Sequence, residues 1–191
     1  MRLNLGCGFR KLDGWVNVDS AAACAPDQVA DLDVFPWPWA DDAVDEVFMS
    51  HVLEHLGATT VAYLQVFREV YRVCRHDARV TIIVPHPRHD TFLNDPTHVR
   101  AVTRDGLLMF SQAENRRWAE LGAANTPLGL YIGVDFALEK TEHQLDSRWE
   151  QALAAGKVSQ VALAEAMLSQ NNVIRQTTFT LRVVKNERRS V

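Results

Sequence analysis

The sequence predicts an α/β fold, a doubly wound and mostly parallel sheet in a single domain over residues 1–191. Three observations carry that expectation. Short apolar runs alternate with segments of helical period, the order that builds a parallel sheet with helices on its faces. The run 79-RVTIIVP-85 is apolar almost throughout, as a central strand buried on both faces would be. The first run, 2-RLNL-5, leads directly into Gly6-Cys7-Gly8, where side-chain-free backbone can approach a ligand beyond a strand's carboxyl end.

The elements follow in order. Strands are expected at 2–5, at 15-WVNVD-19, through Val29–Leu32 and at 44-VDEVFMS-50. In 59-TTVAYLQVFREVYRVC-74, Val61, Leu64, Phe67, Val70, Tyr71 and Cys74 fall on one helical stripe, with Thr59 or Thr60 as N-cap. After the strand at 79–85 come a helix from Arg104 to Glu120 and a strand near 131-YIGVDFALEK-140. A helix around 147–170 and a last strand at 176-QTTFTLRVV-184 complete the same sheet. No internal repeat, low-complexity tract or linker interrupts the chain.

Composition narrows the function classes. The chain is 47% hydrophobic and 23% charged, an ordinary globular balance, and its net charge of −4 offers no global attraction for nucleic acid or an anionic membrane. No apolar run approaches the roughly 20 residues that span a bilayer, and no charged-then-apolar leader precedes the first strand. The 3 cysteines, Cys7, Cys24 and Cys74, form no CxxC pair, so neither a disulfide framework nor a zinc knuckle is indicated. The expected setting is the cytoplasm.

The glycine turn excludes one ligand class. A dinucleotide site wants GxGxxG, a helix, and an acid about 20 residues on. Here Arg10 stands where a further glycine belongs, and Asp19, at the tip of the second strand, comes only eleven residues after Gly8. The stretch between cannot hold two helical turns, so the first helix is reduced or missing and no helix dipole is left for a pyrophosphate. A nucleoside without a pyrophosphate still fits, with Asp19 accepting from its ribose hydroxyls.

LNLGCG, the VD after it, Asp31-Leu32, PWPWADDAVDEVFMSHVLEHL and the later DPTHVR together resemble class I S-adenosylmethionine-dependent methyltransferases. The likeness is greatest to a small-methyltransferase group with a shortened glycine loop, and it covers most of residues 2–104. It implies a Rossmann-like methyltransferase sheet with an antiparallel last strand, and S-adenosylmethionine as cofactor. It also implies roles. Gly6, Cys7 and Gly8 face the methionine portion, Asp19 holds the ribose, Asp31 and Leu32 border the adenine, and His51 backs the cofactor. Asn4, standing where the family commonly has an acid, would bond the amino-acid end without a charge.

Two clusters bear on the acceptor. His51-x-x-Glu54-His55 also reads as the HxxEH of inverted zinc peptidases, which needs both histidines on one helical face. His51 instead falls at a strand-to-helix junction, and Gly57 soon interrupts the segment. The resemblance turns Glu54 or His55 toward the acceptor. The loop 85-PHPRHDTFLNDPTHVRAVTRD-105 holds five residues of metal-ligating type: His86, His89, Asp90, Asp95 and His98. A divalent metal, a general base and plain loop architecture, with Asp95-Pro96 starting a turn and Thr103 capping a helix, all suit it. The reading adopted has His98 and His55 as bases, and Glu54, His86, Asp95 and Arg100 as substrate contacts. It assigns no metal. Acceptor recognition is expected in 85–104 and 104–172. The expected acceptor is a small-molecule hydroxyl or amine, of sugar or natural-product type, with no nucleic acid or membrane partner. The sequence leaves the oligomeric state open, a homodimer included. A non-catalytic binding or partner subunit of the same fold is the alternative, and Trp37 and Trp39 are expected to pin their loop to the core.

Overall fold

The computed structural model describes residues 1–185, in which seven strands form one sheet. They are β1 (Arg2–Leu5), β2 (Val16–Asp19), β3 (Gln28–Val29), β4 (Val44–Ser50), β5 (Cys74–Pro85), β6 (Phe136–Leu145) and β7 (Ile174–Val183). Their spatial order is β3-β2-β1-β4-β5-β7-β6, and β7 alone runs against the rest. The order changes direction between β1 and β4, which opens a crevice at their carboxyl ends. Because β7 is reversed, its first residues reach that same edge: Gln176 pairs with Pro85, the last residue of β5.

No helix joins β1 to β2, as the short spacing requires. Helix α1 (Thr60–Val73) links β4 to β5, and the Thr59 side chain caps it by accepting the Ala62 N–H at 3.2 Å. Its buried face is Tyr63, Val66, Phe67, Val70 and Val73, with Glu69 among them. The face is thus turned from the expected stripe. Val61 is exposed, and Cys74 has already entered β5. Short helices follow: α2 (Asp90–Leu93), α3 (Arg104–Leu108), α4 (Gln112–Glu120) and α5 (Leu128–Ile132), then α6 (Ser147–Ala154) and α7 (Gln160–Ser169) before β7.

Five expectations shift. The strand expected at Val29–Leu32 is only Gln28–Val29, so Asp31 and Leu32 lie in the loop beyond it. The helix expected from Arg104 to Glu120 is two. The break sends Phe110 into the core, stacked on Phe67 with centroids 3.8 Å apart, and Ser111 restarts the chain by capping α4. Around 131 the chain is still helical, until Gly133 at φ 72° ends α5 and β6 begins at Phe136. The helix around 147–170 is likewise split, at Gly156, and Ser159 caps its second part. β5 is buried on one face only, through Val80, Ile82 and Val84, while Thr81 and Ile83 are half-buried. Among the described residues no helix is long and apolar enough to cross a membrane.

Candidate active site

The carboxyl ends of β1, β2 and β4 surround a cleft of about 220 Å³. Gly6 forms its floor at φ +64°, and a Cβ there would stand 2.3 Å from Val52 Cγ2. Only glycine meets both demands. The turn is then held without a helix. Cys7 N–H reaches Val18 O at 2.9 Å, prolonging the β1–β2 pairing past the glycine. The buried Asn17 takes the Leu12 N–H (2.8 Å) and Asn4 Nδ2 (2.9 Å) on its own Oδ1, and gives an Nδ2 hydrogen to Asp27 Oδ2 at 2.7 Å. Asn4 Nδ2 spends its other hydrogen on Arg10 O at 3.0 Å. Asn4 is 3% exposed, so its amide serves the loop from below and does not reach toward an amino-acid ligand. Asn17 and Asp27 carry no motif; inward alternation in VNVD was the one available signal.

Asp19 ends β2 and faces the cleft. One carboxylate oxygen accepts Gly8 N–H at 2.8 Å and the other Ala21 N–H at 2.9 Å, which aims the group while leaving each oxygen a lone pair outward. Gly8 thus acts through Asp19, and Cys7 is buried, its thiol pushed up by burial. Across the cleft lie Asp31, which turns its chain by accepting Asp33 N–H, and the buried Leu32. Trp37 Nε1 donates to Leu32 O (3.1 Å) and Trp39 Nε1 to Gln28 Oε1 (3.0 Å), so both tryptophans pin this wall to the core.

The third wall is the loop after β4. His51 sits at φ +58°, a conformation rare for a side-chain-bearing residue. Its Nε2 meets Gln176 Oε1 of β7 at 3.1 Å, and its Nδ1 lies 3.4 Å from Glu54 Oε1, a contact that raises its pKa. Glu54 is fully buried, and neither carboxylate oxygen has a hydrogen-bond partner. Its backbone carbonyl accepts Val99 N–H (2.9 Å) and Arg100 N–H (3.3 Å), strapping the DPTHVR loop against it. The strap places His98 beside His55, ring centroids 4.6 Å apart, with Phe92 stacked on the far side of His98 at 5.2 Å.

These contacts fix both tautomers. Phe92 O can only accept, so His98 Nδ1, 2.8 Å away, carries the hydrogen. Thr97 Oγ1 donates to Asp95 Oδ1 at 2.6 Å, leaving only lone pairs for His55 Nδ1 at 3.0 Å, which must donate as well. Each histidine is left with a bare Nε2.

The remaining expected contacts lie elsewhere. Asp95 is occupied with Thr97, whose hydrogen bonds hold its pKa low. Arg100 turns away, its guanidinium 4.2 Å from the Tyr63 ring centroid and one Nη on Gly57 O. His89 is buried against Asp146, and Asp90 is exposed at the start of α2. His86 enters a second cavity of about 310 Å³, walled by Val102, His143, Thr177 and Phe179. The five ligand-type residues of 85–105 therefore do not assemble, and the HxxEH is not a helix bearing two histidines on one face. The loop 51–56 is a series of turns.

A family model described as a methyltransferase domain matches residues 3–82, the segment that builds the cleft. Among solved structures, the chain is similar to a SAM dependent methyltransferase from Archaeoglobus fulgidus, with TM-score 0.61 and 18% identity over 95% of this chain and 85% of that one. It is similar to another from Methanosarcina mazei, with TM-score 0.57 and 11% identity over 97% and 92%. The [4+2]-cyclase SpnF also matches, with TM-score 0.55 and 15% identity over 97% and 75%. At these identities the structures show the fold alone, and the domain match reaches 80 of the 191 residues. A comparison with curated proteins gives no match. Over residues 3–82 the chain is similar to a methyltransferase domain, and its fold is that of S-adenosylmethionine-dependent methyltransferases.

The cleft residues suit S-adenosylmethionine, the cofactor of the similar structures. Gly6 keeps the floor clear of any Cβ, Asp19 holds outward lone pairs, and Leu32 offers an apolar edge. When bound, the cofactor supplies a methyl group already activated by its sulfonium. What then remains for a protein is to orient the acceptor and exclude water, and His55 stands on the cleft wall.

Proposed function

We propose that this chain is a class I S-adenosylmethionine-dependent methyltransferase that methylates a hydroxyl or amine of a small molecule, of sugar or natural-product type, held by the segments 85–104 and 104–172. The observation that carries the proposal is the second cavity. Its volume of about 310 Å³ falls at the lower end of small-ligand pockets, roughly 300–1,000 Å³. It lies beyond β5 and β7, on the edge the cofactor cleft also occupies, and the two are joined in sequence. Gln176, the partner of His51 in the cleft, precedes Thr177 on the cavity wall. Asp19, Asp31, Leu32 and His51 hold the cofactor, with Gly6 clearing room and Gly8, Cys7 and Asn4 bracing the turn. His86 lines the acceptor cavity, while Asp95 and Arg100 support it from outside. The acceptor's proton is received at the seam, where His55 and His98 stand over Glu54. The net charge of −4 disfavours nucleic acid and anionic membrane as partners, and the setting that suits such chemistry is the cytoplasm.

Release of S-adenosylhomocysteine over a panel of acceptors tests this. Turnover is expected with hydroxylated or amino-bearing small molecules and not with tRNA, rRNA or protein. Turnover confined to the macromolecules would overturn the acceptor class. Calorimetric binding of neither S-adenosylmethionine nor S-adenosylhomocysteine would favour the non-catalytic alternative.

A further inference from the structure

We propose that Glu54, His55 and His98 form a divalent transition-metal site, of which Zn2+ is the fitting ion, and that the acceptor is a hydroxyl that completes its coordination. The use of the site rests on the methyl-transfer reading; the site itself does not. One ligand atom from each of the three residues lies within 4.8 Å of the others. A tetrahedral ion with bonds near 2.1 Å would draw them to about 3.4 Å, a movement within the reach of side-chain rotation. His2Glu is a donor set that binds zinc while keeping a fourth position open.

Three features raise this above a chance cluster. Glu54 is fully buried, with Oε2 unpartnered and Oε1 facing only His51 Nδ1 at 3.4 Å, an arrangement that costs free energy unless a cation or donor arrives. Both histidines present the bare nitrogen metals bind, their tautomers set by Phe92 O and by the Thr97–Asp95 pair, as outer-shell groups set them in metal sites. The strap from Val99 and Arg100 N–H to Glu54 O fixes the third ligand relative to the first two without the metal. His51 is the competitor for Glu54, at 3.4 Å, and it approaches only one of the two oxygens.

The site deepens the acceptor reading, since His55 also lines the cofactor cleft, and it makes His55 and His98 ligands in place of proton acceptors. An acceptor hydroxyl at the open position loses its O–H proton to solvent at a pH where a free alcohol would keep it. Its oxygen then forms the new bond to the methyl carbon. The sulfur–methyl bond breaks with both electrons staying on sulfur, leaving S-adenosylhomocysteine and the methyl ether. No oxidant or second reactant is needed.

The test is metal binding by the full chain after chelation and dialysis, with Zn2+ by calorimetry and Co2+ by its visible absorption. One ion per chain is expected, with the strong bands of four-coordinate Co2+. Thr97→Val, which removes the acceptor of the His55 Nδ1 hydrogen together with the hydroxyl's bond to Asp95, should weaken binding by about 10–100-fold. Glu54→Gln and His98→Ala should weaken it further. Calorimetry with S-adenosylhomocysteine on each variant shows that the fold is kept, and Thr97→Val covers the case in which a buried variant does not fold. The proposal is overturned if the wild type binds neither ion, or binds one with an affinity that Thr97→Val and His98→Ala leave unchanged. Turnover that survives chelation yet is lost in His55→Ala would replace the metal with direct base catalysis. Metal bound stoichiometrically by a chain that does not bind S-adenosylmethionine would leave the site standing and sink methyl transfer.

Discussion

Asp19 is held by two backbone N–H groups of its own neighbourhood, so what it offers the cofactor is aim as well as charge. Charge-assisted hydrogen bonds contribute about 1.5–3 kcal/mol each, and about 1.4 kcal/mol is a factor of ten. Asp19→Ala is therefore expected to bind S-adenosylhomocysteine at least about tenfold more weakly in a folded chain. Unchanged affinity by calorimetry would show that the ribose is held elsewhere. His86 makes a prediction in pH. Burial, with Arg88 adding repulsion, depresses its pKa to about 4. Its Nδ1 accepts the Arg88 N–H at 3.2 Å. The folded chain resists protonation there, whereas the unfolded chain takes the proton near the ordinary value of about 6.5. The contribution of a neutral His86 is thus whole above about pH 6.5 and is lost as pH falls toward 4. Urea titrations at steps across that window should give a shallower acid-side decline for His86→Asn than for the wild type. Parallel profiles would rule the assignment out. At this scale the sequence is legible where chemistry is local. Gly6 and Asp19 announce themselves by position in the strand-turn-strand. Asn17, Asp27 and Gln176 do not, because their partners are brought to them by the fold. His98 reads in sequence as a candidate base in a long loop, and the fold clamps it between Phe92 and His55, contacts no spacing reveals.

Among the elements, α1 is the one whose sequence hides most. Its apolar pattern is wide enough to suggest a stripe through Val61 and Cys74, yet the face in the core is centred on Tyr63, Phe67 and Val70. The residue that decides the difference is polar. Glu69 lies on the buried face, accepts Trp37 N–H at 2.6 Å and pairs with Arg72 at 2.7 Å, while Arg72 also bonds Trp37 O and Trp39 O. One helix thereby holds the FPWPW wall of the cofactor cleft. Glu69→Ala would leave the buried Trp37 N–H unmatched while Arg72 keeps Asp41 and two carbonyls, at an expected cost of about 1–3 kcal/mol in urea unfolding. A loss under about 0.5 kcal/mol, the range of ordinary surface substitutions, would show that the wall stands without it. The split helices of the second half had local warnings, Ser111 three residues before Glu114 and Ser159 after Gly156, which helical periodicity alone overrides.

For the molecule as a whole, a ligand that binds only the folded chain stabilises it by mass action. S-adenosylhomocysteine at 100 times its Kd should add about 2.7 kcal/mol. For a chain of this length that raises Tm by about 5–10 °C. NADH should give no shift, since the turn between β1 and β2 leaves no helix end for a pyrophosphate; an equal shift with NADH would refute that exclusion. The sheet order has a consequence for biosynthesis. β6 pairs with β7 and with no other strand, and β7 must slide between β5 and β6 to join them. When the ribosome has delivered β6, the strand has no neighbour, and the outer edge of β5 is bare as well. Both wait for Ile174–Val183, roughly thirty residues later in the chain. A nascent chain stalled or cut before Ile174 would display two unpaired edges at once, the condition under which strands recruit one another between molecules. Residues 1–173 expressed alone should accumulate as aggregate, and adding a synthetic peptide of 174–185 during refolding should return part of it to solution.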